Sequence, residues 1–193
     1  MNNKKEPHFE TDSIHAGNEF REGTGAIIPP IYATSTFESD NNYGFDYTRS
    51  GNPNFTNLEK TIAKIEKADY ATVFASGVSA ITAVLSTLDK GSMILAEENI
   101  YGCTYRLIDQ VFSKFGVSVE YVDFTNEKSI KRISEVSPDL VWIESPTNPL
   151  LKVIDIESIA NETKDSETAL VVDNTFSSSY IQCPLELGAD ISL

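Results

Sequence analysis

Five places in the sequence carry residue types that could do chemistry together. Asp173 ends the apolar run 169–172, where a lone carboxylate is costly to bury unless a cation meets it. A ligand cation is one partner for it. An Asx-type turn into Asn174 and Thr175 is the local alternative. Ser76, Gly77 and Val78 open an apolar helical stretch, and free backbone N–H groups there would attract an anion. Gly77 would let a ligand approach the main chain closely. Tyr47 and Arg49 stand two apart in "YTR", a phenol and a guanidinium suited to a phosphate dianion. Tyr101 follows the run "SMILAE", and Asn148 lies in "SPTNP" between Pro146 and Pro149. Each has an ordinary reading of its own: a packing turn, a half-buried tyrosine, a stiff connection, a solvated arginine. Together they form a phosphate cradle, a stacking aromatic, a directed amide and a carboxylate for a buried cation. That set matches pyridoxal 5'-phosphate, whose pyridine nitrogen must stay protonated if the ring is to act as an electron sink.

The elements that would position these residues alternate along the chain. From Asn57, helical stripes such as "NLEKTIAKIEKA" exchange with short apolar runs read as strands: "YATVFA", "SMILAE", "VSVEYV", "DLVWIES" and "TALVVD". Repeated βαβ units predict an α/β fold with a mainly parallel sheet and helices on both faces, with ligands at the carboxyl ends of the strands. Residues 1–54 read differently. They are rich in Gly, Pro, Asn and Thr, without a sustained helical period, and are expected to form an extended arm with short turns before a body over 55–193.

Composition narrows the function. Lys and Arg total 15 against 29 Asp and Glu, a net charge of -14, which lacks the basic footprint of a nucleic-acid or anionic-membrane binder. Cys103 and Cys183 form no CxxC pattern, and the N-terminus shows no apolar signal region. A cytoplasmic setting is expected.

The motifs "SIHAG", "IIPPIYATSTF", "YTRSGNP", "FASGVSAI", "YGCT", "ESPTNP", "VVDNTF" and "PLELGADI", in this order, resemble the Cys/Met-metabolism family of pyridoxal-phosphate enzymes. The resemblance implies an aspartate-aminotransferase-like (fold type I) large domain. It implies that Ser76, Gly77 and Val78 hold the cofactor phosphate, with Val78 where the family usually has Met. It implies that Tyr47 and Arg49 reach the phosphate of a neighbouring subunit, hence a homo-oligomer, a dimer of dimers. Tyr101 is implied to stack on the ring and assist proton transfer. Asn148 is implied to stand near the ring hydroxyl, and Asp173 to pair with the pyridine nitrogen. Thr175 is counted with the cofactor-binding set. Cys103 in "YGCT" would border the substrate side chain, as in methionine γ-lyase. A small apolar filler is its alternative role.

The implied reaction is elimination or replacement at the Cγ–S bond of a sulfur amino acid, of the cystathionine γ-lyase or γ-synthase type. Methionine γ-lyase and cystathionine β-lyase are the alternatives. The family anchors its cofactor through a lysine in a Ser-x-Thr-Lys motif shortly after the "GADI" strand. The sequence stops at Leu193, and no lysine among Lys60, Lys64, Lys67, Lys152 and Lys164 sits in a comparable context. The expectation is therefore a front half that is inactive alone. A second expectation, of another class, is an inactive truncated protein that associates with a full-length relative.

Overall fold

The computed structural model describes residues 7–19 and 25–193. The chain divides into two units, Met1–Val73 and Phe74–Leu193.

Among its described residues the first unit carries two helices, α1 (Phe9–His15) and α2 (Pro53–Glu66). The expected arm is thus not extended throughout, because α1 forms and packs on α2. Thr61 Oγ1 donates to Ala16 O at 2.8 Å, and Gly17 (φ 74) lies so close that a Cβ there would sit 2.2 Å from Asn57 O. Only a glycine accepts both the left-handed backbone and that approach. Helix α2 starts at an Asn52 cap, whose side chain accepts from Asn54 N at 2.9 Å, with Pro53 in the first turn where no amide bond is lost.

The second unit is a five-stranded parallel sheet. Its elements in chain order are α3 (Gly77–Leu85), β1 (Met93–Glu97), α4 (Gly102–Gln110), β2 (Ser118–Val122), α5 (Glu127–Val136), β3 (Leu140–Glu144), α6 (Ile156–Thr163), β4 (Ala169–Asp173), α7 (Ser178–Ile181) and β5 (Ile191–Ser192). The strand order is β2-β1-β3-β4-β5, so the chain reverses direction across the sheet between β1 and β3. That reversal opens a crevice at the carboxyl ends of those strands.

Alternation along each strand explains the two-sided burial. Ile94, Ala96, Leu140, Trp142 and Val171 face Ile81 and Leu85 of α3 and Ile108 of α4. Leu95, Val141, Ile143, Leu170 and Val172 face Ile133 of α5 and Ile156 and Ile159 of α6. Strand β3, central and buried at every residue, has no polar side chain before Glu144.

One expected strand is missing. Residues 70–74, the core of "YATVFA", adopt no regular structure, and Tyr70 and Phe74 are exposed. A strand needs a neighbour to take its backbone hydrogen bonds, and none of β1–β5 pairs with this segment. The helix expected after it, α3, forms as anticipated. No helix among the described residues is long and apolar enough to cross a membrane.

Candidate functional site

Three strands of the second unit end in a carboxylate: Glu97 on β1, Glu144 on β3 and Asp173 on β4. Glu97 and Glu144 are buried. Asp173, expected to be the buried one, is only half-buried. Its Oδ1 accepts from Thr175 N at 3.0 Å and Thr175 Oγ1 at 2.5 Å. The Asx turn is therefore present, and Thr175 serves to hold that carboxylate. The cause is positional: Asp173 is the last residue of its strand, where the chain leaves the core.

Glu144 is the hub of the crevice. Its Oε1 accepts from Tyr101 N at 2.5 Å and its Oε2 from Asn148 N at 3.1 Å. On the neighbouring strand its register partner is Asp173. Burial pushes its carboxyl up to about 7, and the charges of Asp173 and Glu97 push the same way while the two N–H bonds oppose them. Burial also raises Glu97, against N–H bonds from Phe124 at 2.8 Å and Asn99 at 3.2 Å.

Tyr101 precedes the first turn of α4 and is partly exposed. Its hydrogen bond to Cys103 raises the phenol, and the same bond, with Arg106, lowers the Cys103 thiol. Arg106 Nη2 lies 3.3 Å from Cys103 Sγ. The "SPTNP" loop is tied back to the segment that follows β1, since Asn99 Oδ1 accepts from Thr147 Oγ1 at 2.8 Å and Leu150 N at 3.2 Å. The bonds before Pro146 and Pro149 are both cis.

Tyr101, Asn148 and Asp173 thus come together around Glu144. Ser76, Gly77 and Val78 stand at the start of α3. Ser76 caps it, its Oγ accepting from Ser79 N at 3.2 Å, which leaves the Gly77 and Val78 amides without intrahelical partners. A Cβ on Gly77 would meet nothing within 4 Å. No hydrogen bond among the described residues joins this turn to the Glu144 cluster.

Tyr47 and Arg49 belong to the first unit. They share a face, though not by strand alternation. Tyr47 pairs with Thr36 in an isolated antiparallel bridge, and the chain then turns, Ser50 N donating to Tyr47 O at 2.8 Å. The Arg49 guanidinium lies 5.0 Å from the Tyr47 ring centroid. Both line a cavity of about 680 Å³ with Tyr32, Thr34 and Asn52.

Residues 10–193 match the family of Cys/Met metabolism PLP-dependent enzymes. The chain belongs to this family. Cystathionine gamma-lyase from Sus scrofa is 42% identical over 191 residues, covering 96% of this chain and 47% of that protein. The metB structure from Corynebacterium glutamicum matches with a TM-score of 0.91 at 42% identity, covering 95% of this chain and 49% of that one. Apo CalE6, a methionine gamma lyase from Micromonospora echinospora, matches at 0.90 and 38% identity, covering 96% and 50%. The chain spans about half the length of the relatives it matches.

Membership makes pyridoxal phosphate the family's cofactor, and the second unit matches the fold type I architecture of these solved relatives. Against that background, Glu144 and Asn99 are what sequence reasoning passed over. The signal for Glu144 was available: a carboxylate ending an apolar strand, the same feature that singled out Asp173. Its role was not, because its partners lie 43 and 4 residues away.

Proposed function

We propose that this chain forms the cofactor-binding part of a transsulfuration enzyme that cleaves or replaces the Cγ–S bond of a sulfur amino acid, of the cystathionine γ-lyase or γ-synthase type. The observation that carries this reading is the grouping of Tyr101, Asn148 and Asp173 at adjacent strand ends, in a chain 42% identical to a cystathionine gamma-lyase. The residues fit the cofactor. Gly77 opens onto free space beneath two unpaired helix amides, as a phosphate requires. Asp173 keeps its second oxygen, Oδ2, turned from the Thr175 bonds and suited to a cationic ring nitrogen.

When bound, pyridoxal phosphate supplies an electron sink for charge developing at the substrate Cα. The chain's own residues do the rest of what is proposed. Gly77 and Val78 hold the phosphate, and the Ser76 cap keeps their amides pointing outward. Asp173 keeps the pyridine nitrogen protonated, and Thr175 fixes the Asp173 rotamer. Tyr101 stacks on the ring, and its raised phenol stays protonated near neutrality, available as a donor. Asn148 faces the ring hydroxyl. Tyr47 and Arg49 serve the phosphate of a neighbouring subunit, so that residues 1–54 act as an arm in a dimer of dimers, in the cytoplasm.

A second reading, methionine γ-lyase, is favoured by one feature. The Cys103 thiol is lowered by Tyr101 and Arg106 and stands beside the candidate stacking ring.

Titration of the chain with pyridoxal 5'-phosphate, followed through quenching of its single tryptophan, Trp142, tests the proposal. Saturable quenching is expected, weakened about ten-fold or more in Asp173→Asn by loss of the charge-assisted pair. Absence of saturation contradicts it. In the holoenzyme that contains this chain, turnover of cystathionine supports the first substrate reading, and turnover of methionine alone supports the second.

A further inference from the structure

Glu144 is buried to 3% exposure, yet no cation pairs with it among the described residues. Its charged neighbours, Asp173 on β4 and Glu97 on β1, are both carboxylates. Glu97, by contrast, has the Lys152 ammonium 3.9 Å away. A buried carboxyl among like charges is costly, and what offsets that cost here is what its two oxygens accept. Each accepts one backbone N–H, and the two donors come from different loops: Tyr101 from the segment between β1 and α4, and Asn148 from the segment between β3 and α6. Neither donor lies within β3 itself. Tyr101 stands at the N-cap of α4 and its side chain caps nothing, while its own N–H donates to Glu144 and so joins this end of the helix to the end of β3.

We infer that Glu144 is a positioning residue, a single carboxyl that sets Tyr101 and Asn148 as a pair at the switch point of the sheet. The inference rests on reading those two residues as cofactor contacts. A glutamate spans the two loops where a glutamine cannot, because an amide offers one acceptor oxygen and turns an NH₂ toward the second N–H. Ionisation strengthens both bonds. Since the carboxyl sits near 7, the pairing tightens as pH rises through neutrality and loosens as the proton returns. The groups facing Glu144 that enter this balance are Asp173, Glu97 and the two N–H donors.

Amide hydrogen exchange on the full chain without cofactor tests the inference. In Glu144→Ala, exchange at Tyr101 and Asn148 is expected to accelerate about ten-fold or more. In Glu144→Gln, one of the two accelerates that far and the other less. The Asn99 and Phe124 amides, held by Glu97, remain as in the parent chain. In the parent, protection at Tyr101 and Asn148 rises together between about pH 6 and about pH 8, and the glutamine variant loses that dependence. Unchanged exchange at both amides in either variant overturns the inference. So does uniform acceleration across β3 and β4, which would make Glu144 a general core residue. A pyridoxal 5'-phosphate titration of the same samples separates the two levels. Faster exchange with no cofactor binding by the parent chain contradicts the proposed function and leaves the positioning role supported.

Discussion

The Lys152 ammonium lies 3.1 Å from Glu98, 3.3 Å from Asp123 and 3.9 Å from Glu97. The bond to Glu98, with that to Asp123, raises its pKa, which keeps it charged. A charged amine is no nucleophile, so this lysine is unsuited to covalent attachment of an aldehyde. Borohydride treatment after exposure to pyridoxal 5'-phosphate is expected to leave Lys152 unmodified, and mass spectrometry of the peptides checks it. Glu97, Glu98 and Asp123 lie close enough for a metal ion, but Lys152 already supplies their positive charge. Asp173 shows how far a single residue can be read from sequence. The turn into Thr175 and the carboxylate at the strand end were both legible, because Asx turns and strand ends are local. Its half-burial was not, because that depends on where β4 leaves the sheet.

Helix caps connect residue chemistry to element stability. Asp155 caps α6, with Oδ1 accepting from Ser158 N at 3.0 Å and Oδ2 from Ser158 Oγ at 2.7 Å. The Ser158 hydroxyl bond, then the amide bond, holds its carboxyl below the usual value of 3.8. A lowered carboxyl stabilises above its unfolded pKa and loses that contribution as pH falls through the folded one. Asp155→Ala is expected to destabilise by about 1 kcal/mol, measured by urea unfolding near neutrality, with the difference shrinking in acid. Apolar periodicity gave β1 through β4 and their crossover helices, since each is decided by its own side chains. "YATVFA" had the same apolar character and forms no strand, because a ladder partner is a property of the sheet and not of the segment. Helix α1 was missed for the converse reason: a seven-residue helix with no buried residue of its own shows little periodicity, and its packing on α2 supplies what the pattern lacks.

For the whole molecule, the buried carboxyls set the pH response. Burial raises Glu144 to about 7, so between about 4.5 and about 7 that carboxyl holds more proton in the folded state than in the unfolded one, and Glu97, also raised by burial, acts in the same direction. Stability is therefore expected to fall as pH rises across that window, and the slope is expected to flatten in Glu144→Gln. Thermal unfolding at a series of pH values checks this. Helices on both faces and the reversal between β1 and β3 place a crevice where three carboxylates end their strands. This crevice, with the N-terminus of α3, is the proposed site for pyridoxal phosphate. The most direct measurement is an amide chemical-shift map of the isotopically labelled chain titrated with pyridoxal 5'-phosphate. Saturable shifts are expected at Gly77, Val78, Tyr101 and Asn148. Shifts confined to other residues, or none that saturate, would contradict it.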